Sequence, residues 1–187
     1  MYWYRYIYID KKFSKIERSK KLHVEATNLL EEKLIEKFHF KKKDLNYKYG
    51  LRGKPYLEKS PFNFSISHCN EVVVCGVSRN RVGIDIEDIK SVNKYVIKKA
   101  LTESEEKVMS LCNEKEEYFF RLWSLKEAFI KSVGHGLSYG MRNIEFNINN
   151  REGKIYCNIS GFKFRQEKIK VNNKEYIISV AWEACNG

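Results

Sequence analysis

Asp85 and Glu87 stand two residues apart in Arg81-Val-Gly-Ile-Asp-Ile-Glu87, a run that reads as a β-strand. Strand side chains alternate, so Val82, Ile84 and Ile86 take one face and Gly83, Asp85 and Glu87 take the other, with the two carboxylates about 6.6 Å apart along the strand. Two unpaired carboxylates on a partly desolvated face repel and raise each other's pKa. A hard divalent cation such as Mg²⁺ removes the conflict, because it prefers oxygen ligands: a few carboxylates, water and phosphate oxygens. Arg121–Lys131 reads as a helix, and Glu127 and Lys131 are i, i+4 neighbours on it. Packed beside the strand, they would add a third carboxylate and an ammonium. Metal and ammonium together neutralise a phosphoryl group, and a spare carboxylate accepts a proton. Each pair alone is ordinary, a solvated strand face and a surface salt bridge. With no ligand bound, Glu127 and Lys131 are expected to pair with each other.

Two upstream stretches point to the same chemistry. In Gly53-Lys54-Pro55 a glycine lets backbone approach a ligand and a lysine can reach a phosphate. Ser67-His68 ends an alternating strand and offers a hydroxyl and an imidazole as donors. No Gly-x-Ser-x-Gly elbow, Walker A loop or Gly-x-Gly-x-x-Gly is present, which leaves a hydrolase triad, an ordinary ATP site and a dinucleotide site unsupported.

The elements that must position these groups follow from periodicity. Residues 2–9 read as a strand and 13–40 as a long helix, with Leu22, Ala26, Leu29, Leu30, Leu34, Ile35 and Phe38 on one face. Strands follow at 62–68 and 72–77, joined through Asn70-Glu71, then the 81–87 strand. Helices are expected at 92–100 and at 103–112, the second behind a Thr102/Glu105 capping box, and then the helix that carries Glu127. That last helix has a capping-box spacing at Asn113/Glu116 and ends at Gly134 and Gly136. Runs at 143–148, 154–159, 162–170 and 176–182 close the chain as strands, with turns at Asn149-Asn150 and Asn172-Asn173. The expectation is an α+β fold of two similar halves related by pseudo-two-fold symmetry, each a small, mainly antiparallel sheet packed with a long helix. The halves are 1–80, with the loop and strand of the binding site, and 81–187, with the metal site and its helix. The seam between them is the natural ligand site.

Composition narrows the class. The 187 residues carry 43% hydrophobic and 14% aromatic residues, enough for a core. No apolar run of about 18 residues exists to span a membrane, and Met1–Ile9 has no signal-peptide layout. Five scattered cysteines without a Cys-x-x-Cys suggest buried thiols in a reducing cytosol. Lys plus Arg number 35 against 24 Asp plus Glu, a net charge of +11 that attracts polyanions.

Gly53-Lys-Pro, Phe64-Ser-Ile-Ser-His68, Val82-Gly-Ile-Asp-Ile-Glu87 and Trp123-Ser-Leu-Lys-Glu-Ala-Phe-Ile-Lys131, in this order and spacing, resemble the 4′-phosphopantetheinyl transferase superfamily. The length and two-half layout resemble its surfactin-synthetase-activating type, which is monomeric, and the likeness is clearest over about 44–150. The resemblance implies transfer of phosphopantetheine from coenzyme A, as co-substrate, to a serine of an acidic apo acyl or peptidyl carrier protein, with release of adenosine 3′,5′-bisphosphate. It implies a cytoplasmic monomer that uses Mg²⁺, with Mn²⁺ as an alternative, and engages neither nucleic acid nor membrane. Matched by position, Asp85, Glu87 and Glu127 hold the metal, and Glu127 and Lys131 are catalytic. Lys54, Ser67, His68 and Lys131 contact coenzyme A. The segment before the first helix is shorter than in the family, so Arg18, Lys20, Lys21 and His23 are the candidates there for the 3′-phosphate.

Two rival readings use the same features: a Mg²⁺-dependent nuclease built on the carboxylates and Lys131, and a basic nucleic-acid-binding module. Neither requires Gly53-Lys-Pro or Ser67-His68.

Overall fold

A computed structural model describes residues 1–10, 12–149 and 152–184. The chain begins with β1 (Tyr2–Tyr6) and α1 (Lys15–Phe38). A short hairpin of β2 (Tyr47–Tyr49) and β3 (Pro55–Leu57) comes next, then the pair β4 (Asn63–Cys69) and β5 (Val72–Ser78). The second part repeats this plan: β6 (Val82–Asp88), α2 (Lys94–Ala100), α3 (Glu103–Ser110), α4 (Lys115–Val133), the hairpin β7 (Phe146–Asn149) and β8 (Lys154–Cys157), and the pair β9 (Phe162–Val171) and β10 (Lys174–Glu183). The strand order is β1-β5-β4 in one sheet and β6-β10-β9 in the other, antiparallel throughout. In each the last strand enters between the first strand and its own hairpin partner. The fold is α+β.

Three apolar clusters layer the molecule. Leu22, Ala26, Leu29, Leu30 and Leu34 bury the inner stripe of α1 against Val73, Cys75 and Val77 of β5; each fully buried leucine contributes roughly 1.5–3 kcal/mol. On the other face of β5, Val72 and Val74 meet Val82, Ile84 and Ile86 of β6 and Ile178 of β10, which joins sheet to sheet. Phe119, Leu122, Leu125 and Phe129 of α4 pack on Ile177 and Ala181 of β10. The layers therefore run helix, sheet, sheet, helix, and β4 meets β6 at the seam.

The local chemistry explains the boundaries. Ser14 caps α1 through a reciprocal box with Glu17, and Thr102 caps α3 through the same box with Glu105. Asn172 and Asn173 both take positive φ (47° and 63°), which turns β9 tightly into β10. Gly134 closes α4 in the left-handed region at φ 70°. At Gly83 the strand touches the helix so closely that a Cβ would lie 1.9 Å from the Ala128 carbonyl oxygen.

Several expectations are corrected. Asn113 and Glu116 form no capping box: α4 starts at Lys115 after Glu114, which makes no side-chain cap bond. The turn closing α3, where Cys112 N donates to Met109 O, keeps Asn113 out of the cap position. β1 ends at Tyr6, and the Gly50–Pro55 loop is the tip of the β2–β3 hairpin, whose three-residue strands carry almost no periodic signal. Cys69, Cys75, Cys112 and Cys157 are free thiols; Cys185 and Asn150 lie outside the described residues.

Candidate active site

β6 brings Asp85 to the seam with only 4% of its surface exposed. Its Oδ1 accepts from Lys131 Nζ at 2.6 Å and from Ser67 Oγ at 2.9 Å, and Lys131 Nζ also donates to Ser67 Oγ at 2.8 Å. Three elements, β6, β4 and α4, thus close a triangle of charge and hydroxyl. Its other oxygen, Oδ2, is buried with no hydrogen-bond partner among the described residues. Such an orphan costs about 1–3 kcal/mol, more for a charged group, so the position calls for a further cation. The expected pairing of Lys131 with Glu127 does not occur: Lys131 turns across the seam, where Asp85 offers a more deeply buried carboxylate.

Glu87 lies two residues along the same strand and accepts from Trp123 Nε1 at 3.0 Å. Burial, with the Asp85 charge second, pushes its pKa up to about 7. Burial and Asp85 also raise Glu127, against the smaller opposing pull of Lys131. Asp85, Glu87, Glu127, Ser67, His68 and Lys131 all line one cavity of about 470 Å³. A second cavity of about 270 Å³ shares Pro55, Ile66, Glu127 and Lys131 with it and extends past Gly53, Lys54 and Gly134.

The ligand atoms of Asp85, Glu87 and Glu127 are not drawn into one tight cluster. Among the described residues, the set with donor atoms all within 4.8 Å of one another is Cys69, Glu87 and Asp88. That set is already satisfied: Lys90, Asn70 and the Cys69 thiol all donate to Asp88, and burial raises the thiol pKa, so Cys69 stays protonated. The cavity set fits a hard divalent ion better. It is all oxygen, it holds an orphaned buried carboxylate oxygen, and burial and the Asp85 charge make two of its carboxyls resist ionisation.

The flanking candidates divide. His68 reaches the cavity, where burial first, then Lys131 and His23, lower its pKa and keep it neutral at pH 7. Lys54 spans the seam and spends its ammonium on the carbonyls of Val82 (3.1 Å) and Ser132 (2.9 Å), so its stem lines the second cavity. Burial, with Arg81 second, lowers its pKa to about 8. Arg18, Lys20 and Lys21 line neither cavity: Arg18 is half-buried, and Lys20 and Lys21 are exposed on α1, with Lys21 over the Phe13 ring. His23 is the α1 residue that arrives. Sequence reasoning missed Trp123 as the donor to Glu87, although its i, i+4 spacing to Glu127 placed it on the right face. It also missed Arg52, which donates to His135 O and Ser138 Oγ and joins the hairpin tip to the loop after α4.

Comparison with known proteins bears on this arrangement directly. The family model described as the 4′-phosphopantetheinyl transferase superfamily matches residues 81–181, over half the chain, a span that holds Asp85, Glu87, Trp123, Glu127 and Lys131. The chain belongs to the 4′-phosphopantetheinyl transferase superfamily. Within the superfamily it is similar to the 4′-phosphopantetheinyl transferase psf-1 of Bacillus pumilus, at 44% identity over 92 residues covering 48% of this chain and 40% of the relative. It is similar to the 4′-phosphopantetheinyl transferase Sfp of Bacillus subtilis (strain 168), at 30% identity over 126 residues covering 65% and 55%. The chain spans about half the length of the curated relatives it matches. Among solved structures it is similar to a holo-(acyl-carrier-protein) synthase from Bacillus anthracis str. Ames, with a TM-score of 0.44 and 22% identity, covering 55% of this chain and 95% of that one.

Proposed function

We propose that this chain transfers the 4′-phosphopantetheine group of coenzyme A to a serine of an apo acyl or peptidyl carrier protein and releases adenosine 3′,5′-bisphosphate. The observation that carries the reading is the cavity wall of Asp85, Glu87, Glu127 and Lys131, with Asp85 Oδ2 unpartnered, inside the span matched by the superfamily. The two halves, 1–80 and 81–187, close on coenzyme A at the seam.

Asp85, Glu87 and Glu127 would hold Mg²⁺, or Mn²⁺ in its place, which would supply positive charge for the diphosphate oxygens. Glu127, on the cavity wall, takes the proton from the carrier serine. The serine oxygen bonds to the β-phosphorus, the bond from that phosphorus to the bridging oxygen breaks, and the electron pair leaves with the adenosine bisphosphate. Lys131 exchanges its contact with Asp85 for a diphosphate oxygen and stabilises the charge that develops there. Ser67 Oγ and the neutral His68 ring donate to phosphate oxygens. The Lys54 stem walls the second cavity, where part of coenzyme A rests. The +11 charge suits both partners, a polyanionic nucleotide and an acidic carrier. The transfer takes place in the cytoplasm and by a monomer, without nucleic acid or membrane; no helix among the described residues is long and apolar enough to cross a bilayer.

Chromatographic assay of adenosine 3′,5′-bisphosphate tests this. Release should need coenzyme A, apo carrier, Mg²⁺ and the protein together; release without carrier would instead indicate hydrolysis of the diphosphate.

A further inference from the structure

Lys126 precedes Glu127 on α4, and its side chain is 0% exposed while that of its ion-pair partner Glu105 is 1% exposed. Lys126 Nζ donates to Glu105 Oε2 at 2.5 Å and to the Ala100 carbonyl at 2.8 Å. Glu105 accepts two backbone amides as well, Thr102 N on Oε2 and Phe146 N on Oε1, each at 2.8 Å. One buried pair therefore ties α4 to the end of α2, the start of α3 and the first residue of β7. It lines neither cavity of the active site.

Stability does not account for it. A buried ion pair seldom outperforms apolar residues of similar volume, because the desolvation cost consumes the Coulomb gain. Leu101 beside the acceptor Ala100, Phe146 that donates to Glu105, and Phe119 and Leu122 earlier on α4 all belong to the apolar core. What such a pair adds is uniqueness. Apolar helix faces admit several packings of similar energy, whereas this ammonium has its acceptors in one place.

A second polar tether sits almost opposite. Ser124 Oγ bonds to Ser179 Oγ at 2.7 Å, and Gln166 Nε2 donates to Ser179 Oγ and to Arg121 O. Residues 124 and 126 are about 200° apart around the helix. Tethers on opposite sides fix rotation as well as translation, and a turn of one residue, about 100°, would sweep Glu127 off its wall.

We propose that the Lys126–Glu105 pair is a positioning device: it sets the rotation of α4 and so holds Glu127 and Lys131 against Asp85. The inference rests on the proposed role of those three residues. Its test is Mn²⁺ affinity of the protein alone, read by electron paramagnetic resonance, beside the kcat of transfer, in the double variant Lys126→Met/Glu105→Gln. The methionine fills the volume, and the glutamine oxygen keeps an acceptor for one of the two amides. The double variant is expected to melt cooperatively near the wild-type temperature, to bind Mn²⁺ roughly tenfold or more weakly and to lose kcat by a similar factor. Wild-type Mn²⁺ affinity and kcat in that folded variant would overturn the proposal, leaving the pair a structural one. Should the double variant fail to fold, Lys126→Met alone, in which Glu105 keeps both of its amide donors, decides on the same two readouts. Asp85→Ala separates the premises: if wild type binds Mn²⁺ and Asp85→Ala does not, the site reading stands independently of this result. If wild type neither binds Mn²⁺ nor transfers, both fall together.

Discussion

Lys131 Nζ lies 2.6 Å from Asp85 Oδ1, and the Ser67 hydroxyl bridges the same two groups from the neighbouring half of the chain. The ammonium of α4 therefore neutralises the deepest carboxylate of β6 on one oxygen only, while Oδ2 stays unpartnered. One oxygen of Asp85 is held by protein and the other is buried beside the cavity that Asp85 lines. Lys131→Met should remove about 2–4 kcal/mol of transition-state stabilisation while the helix persists. Single-turnover transfer rates check this; a rate within twofold of wild type would remove Lys131 from the mechanism.

Trp123 fixes Glu87 with one indole N–H. Trp123→Phe keeps the ring packing and deletes the bond, leaving a buried carboxylate less well oriented and harder to ionise. The Mg²⁺ half-saturation concentration should rise roughly 10- to 100-fold, with circular dichroism unchanged. An unaltered Mg²⁺ dependence would show that Glu87 needs no such support.

Glu87 also makes stability depend on pH in a stated direction. Its folded pKa is raised to about 7 from an ordinary 4.5. Between those values the folded chain holds a proton that the unfolded chain has lost, so the stabilisation is full below about 4.5 and is lost as pH rises through about 7. In chelator-treated protein, the melting temperature of wild type relative to Glu87→Gln should therefore fall over this window and level off above it. Mg²⁺ added above pH 7 should restore part of the loss. A difference that grows with pH would reverse the assignment.

Much of this site was legible from spacing. Period two put Asp85 and Glu87 on one face of β6, and the helical repeat put Trp123, Glu127 and Lys131 on one side of α4. Spacing along a strand or helix says nothing about what lies across a seam. That is why the Lys131 partner is Asp85 rather than its i, i+4 neighbour Glu127, and why the Lys54 ammonium ends on backbone carbonyls. The α+β plan was readable because long helices and alternating strands carry strong periodic signals. The β2–β3 hairpin and the start of α4 were not, since a three-residue strand has no period and a cap depends on the preceding turn. Lys126 was hidden for another reason: a lysine in a helix gives no sign that it will be fully buried.

The contact at Gly83 makes the packing of α4 on β6 testable apart from chemistry. A methyl there would meet the Ala128 oxygen at 1.9 Å and the Ser132 nitrogen at 2.4 Å, both backbone atoms that cannot swing away. Gly83→Ala should cost about 3 kcal/mol or more and separate the helix from the strand that carries Asp85. Urea denaturation measures it; a midpoint equal to wild type would mean that helix and strand are looser than the structure has them.

What this chain attaches to the carrier decides its chemistry. Intact-mass spectrometry of apo carrier proteins incubated with coenzyme A, Mg²⁺ and this chain gives the most direct reading. Wild type should leave one phosphopantetheine adduct per carrier serine, and chelator, Asp85→Ala or Glu127→Ala should leave none. No adduct on several acyl and peptidyl carriers, with the protein demonstrably folded, would contradict the proposed transfer, as would full modification by Asp85→Ala at saturating Mg²⁺.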